Sequence, residues 1–160
     1  MHQQQVPARL SATMASEEVE MDLRDLRQAL APWCREKAMR LCVLFGSHAT
    51  GRARSGSDVD LAVWPSEPGS VPSARTRLDS LGELTVLLGT EVNLVVVTPG
   101  LDPVLGREIA RDGRVHFEAE ENLWAWERLR LWQLFQDARP FLARQREDLR
   151  RYAEEVGRGA

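Results

Sequence analysis

The stretch Leu41 to Trp64, LCVLFGSHATGRARSGSDVDLAVW, restricts the chain most. Leu41-Cys42-Val43-Leu44-Phe45 is an unbroken apolar run stopped by Gly46-Ser47. A short run bounded by turn residues reads as a buried strand. Asp58-Val59-Asp60-Leu61-Ala62-Val63-Trp64 follows a Gly/Ser/Arg-rich link and opens with polar and apolar residues in alternation. That is the period of a second strand, with Asp58 and Asp60 on one face and Leu61 and Val63 on the other, toward a core.

Two carboxylates on one face repel, a cost that a cation between them removes. Mg2+ suits the position, because it is hard, prefers oxygen and shares its shell with water and substrate phosphates. Gly46-Ser47 falls just past the first strand. Glycine lets backbone N–H groups approach a phosphate, serine adds a hydroxyl donor, and a helix starting there would favour the same anion. Metal-binding carboxylates beside a phosphate-cradling turn point to phosphoryl or nucleotidyl transfer. A bare Asp-x-Asp is more often a solvated strand edge. The ordered series of strand, Gly-Ser, ten residues, Asp-x-Asp and strand is what raises it above that.

This constellation resembles the signature of the DNA polymerase beta-like nucleotidyltransferase superfamily. More narrowly it resembles the minimal nucleotidyltransferases (MNT), small proteins often encoded beside a HEPN-domain partner. Gly46-Ser47 and Asp58-Val59-Asp60 match the family pattern, and Ala49, Gly51 and Ser57 fall where the family commonly has those types. His48 and Thr50 depart from its usual choices. The resemblance covers roughly 17–118. It implies an α/β (α+β) polymerase beta-like fold, a small mixed sheet flanked by helices, with C-terminal helices added.

The resemblance also assigns roles. Asp58 and Asp60 would hold two Mg2+ ions, Gly46 and Ser47 would bind the nucleotide phosphates, and a third carboxylate would stand on a neighbouring strand. Here that position is Asn93, in Val92-Asn93-Leu94-Val95. Asparagine keeps a carbonyl oxygen but carries no charge and accepts no proton. Its presence should weaken the catalytic metal most. Glu91 shares the face of Asn93, about 7 Å along the strand, and is a possible substitute. The implied activity is transfer of AMP from ATP to a hydroxyl of a protein acceptor, as the antitoxin of a HEPN/MNT toxin–antitoxin pair. The alternative is a binding module that Asn93 has deprived of catalysis and that neutralises its partner by contact.

The rest of the chain supplies cover for the strands. Residues 1–15 are unpatterned and read as a disordered tail, with Met14 and Met21 as alternative starts. Ser16 could cap a helix whose apolar stripe is Val19, Leu23, Leu26, Leu30 and Trp33. Pro72 could open a helix with Leu78, Leu81, Leu84 or Thr85, and Leu88 as its stripe, closed by Gly89. A β-branched strand spans 91–97, and Asp102-Pro103 starts a short helix toward Arg111. A fourth strand runs over 115–118, so the nucleotidyltransferase domain occupies 16–118. A helical extension over 119–157 follows, which Pro140 should divide or kink. Trp124, Leu131, Phe135 and Ala138 form one stripe there, either covering the sheet or facing a partner.

The composition narrows the classes. A hydrophobic fraction of 43% with 28% charged residues fits a soluble globular protein. The net charge of −3 gives no basic field for nucleic acid, and direct nucleic-acid binding is not expected. Cys34 and Cys42, the two cysteines, make no disulfide framework and no zinc spacing. No run reaches membrane-span length and no secretory leader is visible. A cytoplasmic protein that could form a homo-oligomer is the expectation.

Overall fold

The computed structural model describes residues 23–158. Four strands, β1 (Met39–Phe45), β2 (Val59–Pro65), β3 (Val92–Val96) and β4 (Arg114–Glu118), form one mixed sheet in the order β3-β2-β1-β4. β1 runs antiparallel to both β2 and β4, while β2 and β3 are parallel. Helices α1 (Leu23–Glu36) and α3 (Ala74–Leu88) pack on one face. Helices α4 (Pro103–Asp112) and α5 (Leu123–Arg158) cover the other. A one-turn helix, α2 (Gly46–Thr50), follows β1 directly.

Two covered faces explain the unbroken apolar run in β1. Cys42 and Leu44 join the core under α1 and α3, and Leu41, Val43 and Phe45 join the core under α4 and α5. β2 behaves the same way. Val59, Leu61 and Val63 face α1 and α3, but Ala62 and Trp64 are also buried, on the opposite side. The alternation at Asp58-Val59-Asp60 therefore holds only at the strand's entry, where the second layer of helices has not yet closed over it.

Trp64, next to last in β2, is buried and must satisfy its indole N–H inside the protein. It donates to Glu127 Oε2 at 3.0 Å. Glu127 is only 5% exposed, and its other oxygen accepts from Arg40 at 2.8 Å and Arg130 at 3.3 Å. This buried carboxylate joins β1, β2 and α5.

Leu26, Leu30 and Trp33 are buried as the stripe of α1 requires; the expected cap Ser16 and Val19 lie outside the described residues. α3 departs from expectation at two points. Ser73, not Pro72, opens it, its hydroxyl accepting from Thr76 N at 3.1 Å. Leu78 is 66% exposed. At about 100° per residue, it stands roughly 80° from the centre of the Leu81, Leu84 and Leu88 stripe and clears the sheet. Asp102 caps α4 as expected, accepting from Val104 N and Leu105 N.

Pro140 does not divide the C-terminal extension: it is one helix of 36 residues that runs through the proline. A proline there removes one N–H and frees the carbonyl of Gln136. Both residues are exposed, so water takes up that carbonyl and no break is forced. The first half of α5 covers the sheet through Leu131, Trp124 and Trp132. Arg107 of α4 stacks on Phe135 at 5.0 Å, and Arg128 donates to the Ala110 carbonyl at 2.7 Å. Trp126 and Leu129 are exposed, and every residue over 143–158 is exposed. Among the described residues no helix is long and apolar enough to cross a membrane.

Two stability predictions come from the buried polar groups. Glu127→Ala leaves Arg40 and Trp64 without their acceptor and should cost roughly 3–5 kcal/mol in urea unfolding. His116 is buried in β4, and its Nδ1 has no hydrogen-bond partner among the described residues. Burial, aided by Arg27 and Arg114, pushes its imidazole down to about 4. The unfolded chain therefore takes up a proton first as pH falls. Stability held by neutral His116 is complete above about pH 6.5 and is lost toward pH 4, by up to roughly 3 kcal/mol. His116→Leu should remove that part of the acid loss in unfolding curves taken at pH 7 and pH 4.5.

Candidate active site

Strand register gathers the residues that the sequence singled out. Phe45, the last residue of β1, pairs with Asp60 across the antiparallel ladder. Gly46 comes next and so sits over the entry of β2. On the other side, the parallel β2–β3 ladder pairs Asp60 with Asn93. Ala62 and Trp64 of β2, and Val95 of β3, face α4 and α5. Alternation puts Asp60 and Asn93 on that same face, at the open end of the sheet. Asp58 lies one residue before β2, exposed, and alternation gives it the same side.

Gly46 is fixed by two constraints. Its φ is +70°, the left-handed region that favours glycine. A Cβ built on it would also run into the Asp60 carboxylate, meeting Oδ2 first. Asp60 is thus held against backbone on one side. On the other, the Asn93 side-chain amide donates to Asp60 Oδ1 at 3.1 Å. An ionised carboxylate only accepts, so the amide must turn its NH2 toward it.

The turn after Gly46 is braced from within. Thr50 Oγ1 donates to the Gly46 carbonyl at 3.1 Å and lies 3.3 Å from that of Ser47. Gly51, at φ 72°, closes α2 with its N–H on Ser47 O. Phe45 at the N-cap brings no side-chain acceptor, so the first N–H groups of α2 have no side-chain cap. Ser47 is half-buried beside them.

His48, a departure from the family's usual residue, lies in α2 rather than in an open loop. It is half-buried, and its Nε2–H donates to the Ser57 carbonyl at 3.1 Å. That bond ties α2 to the residue immediately before Asp58. Ser57 Oγ in turn accepts from Arg54 N at 2.8 Å, so the spacer ends in a closed turn. Neither contact has a sequence signal beyond the proximity of the motif's two halves. Glu91 contributes through its backbone, its carbonyl accepting from Val59 N at 2.9 Å, and the residue is exposed. Arg52 and Arg54 are exposed on the spacer. Asp112 at the end of α4 is held below the usual carboxylate range by its hydrogen bond from Arg111, with Arg52 adding to the effect.

The donor set fits a hard cation in part. Asp58 and Asp60 offer carboxylate oxygens on one side of the sheet and leave room for water and phosphate oxygens, which is how Mg2+ is held by few protein ligands. Asn93, where a third carboxylate would stand, presents an N–H donor instead. Among the described residues no three His, Cys, Asp or Glu side chains come together as a metal set.

Gly46→Ala tests this packing. Left-handed strain alone should cost about 1–2 kcal/mol, and the clash with Asp60 should add to it. In the Asp60→Ala background only the strain remains, so Gly46→Ala should cost less there. Equal losses in the two backgrounds, measured by urea unfolding, would mean that the carboxylate does not lie against Gly46.

The sequence profile of the family described as "Polymerase beta, Nucleotidyltransferase" matches residues 14–122. No curated protein sequence matches the chain. Among solved structures, a mutant of the toxin–antitoxin MntA-HpeT is similar over 81% of this chain and 98% of its own, with TM-score 0.65 and 16% identity. A toxin–antitoxin solved with AMP-PNP is similar over 78% and 98%, with TM-score 0.59 and 20% identity. A third is the tri-AMPylated Shewanella oneidensis HEPN toxin in complex with MNT antitoxin, over 77% and 97%, with TM-score 0.56 and 19% identity. At such identities these structures establish the shared fold. With the family profile matching over 14–122, and Gly46-Ser47 and Asp58-Val59-Asp60 brought to one end of the sheet, the chain belongs to the polymerase beta nucleotidyltransferase family.

Proposed function

We propose that the protein is a Mg2+-dependent nucleotidyltransferase that moves AMP from ATP to a hydroxyl of a HEPN-type protein partner, as an antitoxin. The observation that carries this reading is Asp60 set between Gly46 and Asn93, beside the uncapped N-terminus of α2. Gly46 and Ser47 bind the β/γ-phosphates through backbone N–H and hydroxyl donors. Asp58 and Asp60 hold Mg2+, which when bound offsets the charge of the triphosphate and the leaving pyrophosphate. Asn93 keeps the Asp60 carboxylate oriented. The acceptor hydroxyl oxygen bonds to the α-phosphorus, the α–β phosphoanhydride bond breaks, pyrophosphate leaves and the hydroxyl proton passes to solvent. Similarity to a toxin–antitoxin with AMP-PNP and to an MNT antitoxin bound to an AMPylated HEPN toxin supports the nucleotide and the acceptor class.

One observation favours a second reading. Asn93 occupies the third-carboxylate position with an amide that donates to Asp60, and it cannot take a proton from the acceptor. A protein so built could act by contact alone, through the exposed apolar residues of α5 such as Trp126 and Leu129.

Incubation with labelled ATP, Mg2+ and a HEPN-type protein partner separates the two. Label should pass to the partner, and Asp58→Ala and Asp60→Ala should each lower transfer by about 100-fold or more, in line with several kcal/mol of lost charge stabilisation. An unlabelled partner whose activity is nonetheless blocked, equally by wild type and by both variants, would establish the contact reading instead.

A further inference from the structure

We infer that this site accepts a divalent cation only as part of a metal–nucleotide complex, one ion per chain, and has no place for a second ion held by protein alone. The inference rests on the nucleotidyltransferase reading above and sharpens it.

Three observations converge on Asp60. Its partner across the parallel ladder is Asn93, so a third ligand, were there one, would be that residue. The Asn93 amide donates to Asp60 Oδ1 at 3.1 Å, which uses one lone pair of that oxygen and points an N–H group, not a lone pair, into the space between the strands. Asp60 Oδ2 lies against Gly46, where a methyl group would collide with it, so that oxygen is turned toward the backbone at the end of β1. Asp60 therefore has one well-oriented oxygen face to share with Asp58. Two divalent ions bridged by Asp58 and Asp60 would bring four positive charges against two negative ones. The nucleotide's phosphates can balance the ion that they carry themselves. The other ion would depend on protein oxygens, and the residue beside Asp60 is neutral with its donor side forward. Glu91 does not make up the loss: it precedes β3, it is exposed, and its mapped role is the backbone bond to Val59.

Mn2+, which shares the preference of Mg2+ for oxygen ligands, can be counted directly by electron paramagnetic resonance on the full chain. Without nucleotide, wild type should show no saturable Mn2+ binding below the millimolar range. With a non-hydrolysable ATP analogue it should take up one Mn2+ per chain. Asn93→Asp restores a carboxylate and should raise the count to two with the analogue, while binding Mn2+ alone at least tenfold more tightly than wild type. Asn93→Ala removes the N–H without adding charge and should stay at one. Two Mn2+ ions in the wild-type complex would overturn the inference while leaving the nucleotidyltransferase reading intact, as would a count of one in folded Asn93→Asp. Failure of wild type to bind the analogue at any Mn2+ concentration would overturn the reading itself and the inference with it.

Discussion

The antiparallel contact between β1 and β2 sets everything else in the molecule. Its register places Phe45 opposite Asp60, so the chain leaves β1 directly over the carboxylate. A one-residue slip would turn Asp60 into the core under α1 and α3 and send Leu61 to the open end. The apolar content of both strands forbids that slip, because every residue from Leu61 to Trp64 already has a buried place on one face or the other. The precision of the site is thus held by the core, and the site residues need contribute little stability themselves.

β2 is anchored at both ends by polar contacts of opposite character. At its entry Asp60 meets an amide and a glycine at the surface, where charge can be shared with a ligand. At its exit Trp64 donates to the buried Glu127, whose charge Arg40 and Arg130 balance. The first arrangement leaves capacity unused and the second leaves none. That difference separates a place for chemistry from a place for structure, although both are built from a carboxylate and nitrogen donors.

Much of this was legible in the sequence, for physical reasons that differ by element. β1, β2 and β3 showed because each is a short, largely apolar run stopped by Gly, Pro or a charge. The helix boundaries at Asp102 and Gly89 showed because caps are written in local chemistry. The pairing of Asn93 with Asp60 was legible only through family resemblance, since nothing local says which strand lies beside which. Leu78 was misplaced because a leucine at stripe-like spacing does not reveal how wide the covered arc is. That Pro140 leaves the helix undivided was not legible, because a proline's effect depends on whether the freed carbonyl meets water or protein, which is a fact of packing. The role of His48 was hidden because its acceptor is a backbone carbonyl nine residues away, and any residue type supplies one.

The helix α5 is about 54 Å long by its rise per residue, roughly twice what the sheet can cover. Its first half is fastened to α4 and the sheet, while residues 143–158 touch solvent on every side. An unsupported helix of that length is marginal in water. One continuous rod will therefore run on two clocks. Its backbone amides near Leu131 will keep their protons until the whole domain opens, and those near Tyr152 will trade them with water through local fraying.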